Sequence, residues 1–461
     1  MKKTLLFLAL GLSAAMQAQV LYGLTETSDT GSGTLFSYDL KAPKISTEKK
    51  FRPAEDGTYA YGSLVQTSNG KLYGLTRNGG TQNKGTLFQY EPATKTYTVR
   101  YHFGSTAGDV AFLDFRGNGS LIEASNKKLY GLSSNAVFEY NPAENSYAVK
   151  AMLSSIGGSE AYGELTELNG KLYGMTKSGG AQQLGIIFEY DLATGTIIKK
   201  EDFNRTNGAR PTGKLTAYSG KLYGITPDGG TGFGNLFEYD PATNTLTNKV
   251  NFGSANGFGP GGFLTLAKNN KLYGTTVRGG AFNLGFVFEF DPATGVFTQK
   301  APFGNDGDDA WSCEGGLLEA SNGMFYGLTR YINNPDNEDD PRGSLFQWDP
   351  AANKIKRLEY FDGPNGLQVR GRLIELKDAS GLATAETAES KVSVYPNPVS
   401  DVLFLKGISK ASVKIYNMAG QLLQSETISN GQLNVSRLSK GLYLVKVEAG
   451  GKTTTHKVVK E

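Results

Sequence analysis

One tripeptide, Leu-Tyr-Gly, recurs along most of the chain, and its spacing constrains the fold more than any other feature. It stands in "VLYGLT" at 20, "KLYGLT" at 71, "KLYGLS" at 128, "KLYGMT" at 171, "KLYGIT" at 221 and "KLYGTT" at 271, with a seventh copy, "MFYGLT", at 324. The tyrosines at 22, 73, 130, 173, 223, 273 and 326 are 51, 57, 43, 50, 50 and 53 residues apart. A period near 50 belongs to units too small to bury a core alone, so each must pack on its neighbours.

Every unit carries four strand signals. The first is Gly-x-Leu, as in "GSLVQ" at 62, "GELTE" at 163 and "GRLIE" at 371; the second is the Leu-Tyr-Gly strand. "NG" or "SG" usually separates the two, a tight hairpin signal. The third reads "GTLFQYE" at 85 or "GNLFEYD" at 234, and a "DPAT" turn follows it, with Asp240, Asp291 and Asp349 as turn caps. The fourth usually ends in Phe: Phe51, Phe103, Phe203, Phe252, Phe303 and Phe361, with Leu153 in the third copy. Four antiparallel strands repeated radially make a β-propeller. The chain starts at a second strand and ends this pattern on a lone first strand at 371–376. The expected fold is therefore all-β, a seven-bladed β-propeller over residues 19–376, closed by that C-terminal strand. Sixty glycines, 24 tyrosines and 25 phenylalanines fit many short strands and tight turns.

The flanks differ. Lys2, Lys3 and the apolar run 5–12 read as a secretory signal peptide over 1–18, with cleavage after Ala18 or, as an alternative, Ala15. No later segment reaches the roughly 18 apolar residues of a membrane span, so no integral membrane segment is expected in the mature protein. Net charge is +3, with no basic run interleaved with aromatics, so no nucleic acid is expected as a partner. Cys313 is the only cysteine, which rules out an intramolecular disulfide. Residues 377–390 are small and polar, a linker. Residues 391–461 alternate apolar residues with Gly and Asn turns, which predicts a small immunoglobulin-like β-sandwich of roughly seven strands.

Two segments resemble known families. Tyr395-Pro396-Asn397-Pro398, "VKIYNMAGQLL", the "GLYLVKV" strand with Gly441 and Tyr443, and the closing Lys457-Val-Val-Lys460 resemble, in order, the type A C-terminal sorting domain of the type IX secretion system. That resemblance implies a sorting signal in these residues and the type IX translocon and sorting machinery as partners. It places the protein in the secreted fraction or on the outer-membrane surface of a Gram-negative bacterium. The units over 20–376, such as "KLYGMTKSGGAQQLGIIFEYDLATG", resemble the GloVer tandem repeat of extracellular proteins. The third unit lacks the Gly-Gly loop, and the seventh replaces it with "RYINNPDNEDDPRG".

Candidate chemistry is sparse. The loop 179–185 is not a phosphate cradle: Gly185 leads into a strand pattern, whereas a P-loop leads into a helix, and the loop recurs at 79–85, 229–234 and 279–285. His102 and His456 are the only histidines, so a Ser-His-Asp triad or a multi-histidine zinc site is not expected. No cofactor is expected, apart from calcium as a candidate at Asp306, Asp308 and Asp309 or at Asp336, Glu338, Asp339 and Asp340. In a four-stranded meander the second-to-third loops and the connections between units share one face, and these are the longer and more varied ones. They carry Tyr59, Tyr61, Phe112, Phe115, Arg116, Tyr162, Arg210, Phe258, Trp311 and Arg370. Scaffold-held variable loops of this kind suit binding of an extracellular glycan, another polymer or a protein. The competing expectations are a lyase or glycosidase using loop carboxylates, and a structural surface component.

Overall fold

The computed structural model describes residues 19–60, 62–104, 119–304, 310–311, 313, 315–334, 337–340, 342–369, 371–377, 393–395, 398–406, 411–417, 421–449 and 452–461. The chain divides into two compact units, Met1–Asp378 and Ala379–Glu461. Among the described residues there is no α-helix, only a single 3-10 turn at Leu153–Ile156. The protein is all-β, built of antiparallel sheets.

Among the described residues of the first unit, seven sheets of the same design follow one another. The second sheet is typical: Val65–Gln66, Leu72–Thr76, Thr86–Glu91 and Thr96–His102 pair in chain order, each antiparallel to the next. The first sheet alone draws on both ends of the unit, because Val20–Leu24 pairs with Thr34–Asp39 on one side and with Ile374–Glu375 on the other. Gly-x-Leu lies just before the first strand of each sheet instead of inside it, as at Gly62-Ser63-Leu64 ahead of Val65. These segments run side by side, with Glu164 and Lys214 in an isolated parallel bridge.

The period of two along each strand sends alternate residues to opposite faces, and both faces are buried. Tyr173 and Ile187 of the fourth sheet pack with Leu222, Phe237 and Tyr239 of the fifth. On the opposite face, Leu172, Phe188 and Tyr190 pack with Tyr130 and Val137 of the third. The same pairing joins sheets one and two, two and three, five and six, and six and seven. Leu21, Phe36 and Tyr38 of the first sheet share a cluster with Tyr326, Leu328 and Leu345 of the seventh. Each fully buried aromatic contributes roughly 1.5–3 kcal/mol over its exposed state. The Phe or Leu that follows each fourth strand is buried, and its N–H donates to the carbonyl of the residue just before the third strand, Phe203 to the Gly185 oxygen at 3.0 Å.

The glycine of Leu-Tyr-Gly has a packing cause. Gly174 lies opposite Phe188 across the ladder, and a Cβ on it would come within 2.4 Å of that ring. The phenylalanine covers the glycine, so Leu-Tyr-Gly and Leu-Phe are two halves of one contact.

Among the described residues of the second unit are seven strands in two sheets, ordered first-second-fifth and fourth-third-sixth-seventh. Leu403 and Leu405 of one sheet and Val413, Ile415, Val445 and Val447 of the other share a single core. Tyr443 is buried and its hydroxyl donates to the Ser439 carbonyl at 2.7 Å. Tyr395 is exposed and stacks on Phe404, with ring centres 5.6 Å apart. Gly441 pairs with Lys460, whose side chain is buried, and Lys457 pairs with Leu444. Pro396, Asn397 and most of the linker lie outside the described residues, as do Ala18 and the leader.

Candidate functional site

The two ends of the sheets differ in chemistry. At one end the turns are alike: Asp191 Oδ1 accepts the Ala193 and Thr194 N–H groups at 2.9 and 3.0 Å, and Asp240, Asp291 and Asp349 cap their turns in the same way. The adjoining half of four sheets carries a buried polar unit that sequence reasoning missed. Tyr173 donates to Glu189 at 2.7 Å, and Lys171 reaches the other oxygen of that carboxylate at 2.5 Å. The pattern recurs at Tyr130, Glu139 and Lys128, at Tyr223, Glu238 and Lys221, and at Tyr273, Glu289 and Lys271, with Gln89 replacing the acid beside Tyr73. The signal was present as Lys-x-Tyr followed by Phe-Glu, and it went unread because its members lie on different strands. Burial alone would raise the Glu189 carboxyl. The Lys171 and Tyr173 hydrogen bonds outweigh that and hold it below its usual range. Four copies mark these groups as scaffold. Tyr173→Phe should cost about 1–2 kcal/mol in urea denaturation, the usual effect of leaving a buried carboxylate short of one donor.

At the other end, among the described residues, incoming connections of five sheets pair with the second-to-third loop of their own sheet. Thr58 pairs with Asn78, Gly158 and Ser159 with Gly179 and Ser178, Ala209 with Asp228, Phe258 with Arg278, and Leu367 with Thr27. The glycine pair makes this approach feasible: Gly229 has φ +99°, and a Cβ on it would meet the Gly208 backbone at 2.7 Å. Immediately after the paired residue comes a left-handed one: Tyr59, Glu160, Arg210, Gly259 and Gln368 have φ between 54° and 58°. Each stands three residues before the close-packed Gly62, Gly163, Gly213, Gly262 or Gly371. Tyr59 and Arg210, singled out in the sequence, thus occupy equivalent positions, and Glu160 and Gln368 join them. The offset from Gly-x-Leu was the available signal.

Arg210 lines a cavity of about 180 Å³ together with Leu184, Arg205, Ala209, Asp228 and the loop Gly229, Gly230 and Gly232. Its guanidinium lies 3.8 Å from the Asp228 carboxylate, both side chains being about half exposed. Beside this cavity Phe233, 48% exposed, meets Phe258 edge-on at 4.7 Å. Tyr162 is elsewhere on this end, under the Lys177 ammonium at 5.5 Å. Trp311 lies in the short strand Ala310–Trp311, paired with Tyr331–Asn334. Tyr61, Phe112, Phe115, Arg116 and Arg370 lie outside the described residues. So do Asp306, Asp308, Asp309 and Asp336. The segment Asn337–Asp340, containing Glu338, Asp339 and Asp340, is a strand paired with Tyr331–Asn334 where a loop was expected. Among the described residues no group of three or more metal-ligating side chains converges. His102 accepts the Thr81 N–H through Nδ1 at 3.3 Å, and Cys313 is fully buried.

The middle residues of the Gly-x-Leu segments form a second polar cluster. Arg372 Nη2 reaches the Glu164 carboxylate, Lys214 Nζ lies 3.8 Å from the same oxygen, and the Arg372 guanidinium rests 5.1 Å from the Phe263 ring centre. The Arg372 stem fills the space a Cβ on Gly316 would need. Ser63 N–H donates to Ser120 Oγ at 2.7 Å, and Arg372 N–H donates to Ser63 Oγ at 2.9 Å. All seven segments therefore meet here. Burial works against the Glu164 charge, but Arg372 and Lys214 hold its carboxyl below the usual range. Burial, reinforced by Arg372, pushes the Lys214 ammonium down to about 8.

This design, repeated antiparallel sheets of about 50 residues with a separate C-terminal β-unit, defines a tandem-repeat protein with an export domain. The chain belongs to the Gloeobacter/Verrucomicrobia repeat family, which matches at 11–136, 113–269 and 228–394, and residues 393–461 match the secretion system C-terminal sorting domain. That domain is the type IX export signal of Gram-negative bacteria, which directs proteins to the cell surface or beyond it. Among curated proteins, the beta-agarase D of Zobellia galactanivorans is 31% identical over 110 residues, 24% of this chain and 20% of the relative. The chain thus spans a fifth of that relative's length. Among solved structures, a fungal alcohol oxidase of the AA5 family is 12% identical at a TM-score of 0.47, covering 95% of this chain and 94% of that one. The oligogalacturonate lyase of Vibrio parahaemolyticus is 10% identical at a TM-score of 0.43, covering 74% and 86%. Likenesses at this level transfer neither a site nor an activity. No helix among the described residues is long and apolar enough to cross a membrane.

Proposed function

We propose that residues 19–376 form a closed seven-bladed β-propeller that binds an extracellular polymer or protein through the end of the sheets carrying the varied loops. In this reading a leader at 1–18 and an immunoglobulin-like sorting domain at 391–461, joined by the linker 377–390, serve export. The seven similar sheets, the shared cluster between the last and the first, and the pairing of Val20–Leu24 with Ile374–Glu375 all support ring closure. The two-sheet strand order of the second unit supports the immunoglobulin-like reading.

One observation carries the binding role. Equivalent left-handed positions hold Tyr59, Glu160, Arg210 and Gln368, although glycine occupies the same position at 259. A non-glycine residue there costs about 1–2 kcal/mol. Strain retained where glycine would relieve it, with a different side chain each time, points to a surface used for recognition.

The test is retention of the full chain on a panel of insoluble polysaccharides, agarose among them, and on Gram-negative surface extracts. Retention is expected to fall at least about tenfold when Tyr59, Tyr162 and Trp311 are replaced together by alanine, as expected for a loss of aromatic anchors. Undiminished retention would place the binding surface elsewhere.

A further inference from the structure

The cavity at Arg205 and Arg210 has the composition of a site for a charged sugar. Its polar side chains are two guanidinium groups and one carboxylate, a net charge of +1. Arg210 is paired with Asp228. Among the described residues Arg205 has no ion-pair partner, and its exposed guanidinium is left with its planar fork of donors free. Backbone groups hold the surround. Gly230 N–H donates to the Arg205 carbonyl at 2.7 Å, Arg210 N–H to the Leu184 carbonyl at 2.8 Å and Ala209 N–H to the Asp228 carbonyl at 2.9 Å. Both arginines are thus set on a braced loop pair, with Arg210 held at φ +55°.

Resting on the binding reading above, we propose that this cavity takes the carboxylate-bearing ring of an acidic polysaccharide, a polymer of uronic acid residues. A guanidinium matches a carboxylate with two parallel hydrogen bonds, which a neutral sugar cannot supply. Asp228 is placed to accept from a ring hydroxyl while neutralising Arg210 in the free protein. About 180 Å³ is well below the roughly 300 Å³ of pockets that engulf a drug-sized ligand, so one ring enters and the chain continues across the surface. The next residue along the loop from Gly232 is Phe233, whose exposed ring is braced edge-on by Phe258 and offers a flat apolar platform to a neighbouring sugar face.

The strain at Arg210 yields a test that separates binding from folding. Arg210→Gly removes the guanidinium and relieves the left-handed conformation, so the variant should melt no lower than the parent while losing the ligand. Affinity electrophoresis of the full chain in EDTA would use polygalacturonate, dextran sulfate and neutral dextran or agarose. Polygalacturonate is expected to retard the parent, with retardation weakening as salt rises. Arg205→Gln and Arg210→Gly should each weaken it by about tenfold or more, at unchanged or higher melting temperature. Equal retardation of parent and both variants overturns this site. Stronger retardation by dextran sulfate shows that a sulfated sugar is the ligand and overturns the carboxylate assignment. Retention by neutral polymer alone overturns the acidic-sugar inference and leaves the binding face standing. Retention by none of these polymers, in this assay or in the polysaccharide panel above, removes both.

Discussion

Gly213→Ala should abolish folding of the repeat unit or cost it about 4 kcal/mol or more, a loss in the extreme tail for single substitutions. A Cβ on Gly213 would stand 1.5 Å from the Gly262 carbonyl oxygen, and neither can rotate away, because the oxygen belongs to the backbone and the backbone fixes where a Cβ stands. The same contact recurs where Gly163 faces the Gly213 oxygen and Gly62 faces the Gly119 oxygen. The substitution would therefore force adjacent sheets apart at their narrowest point, with every cluster between sheets depending on that spacing. Gly220→Ala is the matched control. Its φ is +80° and nothing lies within 4 Å of the added methyl, so only the left-handed penalty of about 1–2 kcal/mol applies. Urea denaturation of both variants decides the matter: equal losses would show that conformational freedom, not contact, selects glycine at 213.

Glu164→Gln is expected to cost about 3–5 kcal/mol, the scale of breaking a buried charge cluster from one side. The amide would leave Arg372 and Lys214 together without a counter-ion. Ionised Glu164 stabilises the parent fully above its ordinary value of 4.5, and that contribution fades as pH falls through its lower folded value. Below that window parent and variant should converge. Lys214 behaves in the opposite sense. Its folded value, pushed from 10.5 down to about 8, means that the charged ammonium destabilises the fold below pH 8 and that the penalty shrinks as pH rises. The advantage of Lys214→Met over the parent should therefore shrink by about 2 kcal/mol between pH 7 and pH 9.5. Taking the difference between the two proteins cancels the buried tyrosines. Tyr73, for example, is raised to about 12, chiefly by burial, and so favours the folded state below pH 10 and less above it. An unchanging difference would show that Lys214 is charged and solvated in the folded protein.

Much of the scaffold was legible because its causes are local and repeated. Leu-Tyr-Gly and Leu-Phe alternate with the period of a strand, and the turn residues Asp191 and Asp291 announce themselves by type. The repeated Tyr173–Glu189–Lys171 unit was harder to read, since it crosses between strands and only the register brings its members together. The candidate site was legible only in outline. Arg210 could be named as a variable-loop arginine, but Arg205, five residues earlier, was indistinguishable from any other surface arginine.

The sequence by itself determined the unit, its strand count, the turn chemistry and the sorting tail, because side-chain period and turn residues act within a few positions. Only the tertiary structure decided that Arg372 would meet Glu164, 208 residues away, and that Gly213 would touch Gly262. It likewise gathered Arg205, Arg210 and Asp228 around one cavity. Those contacts depend on how successive sheets are spaced and rotated against one another. Packing sets that geometry, and no short stretch of chain encodes it.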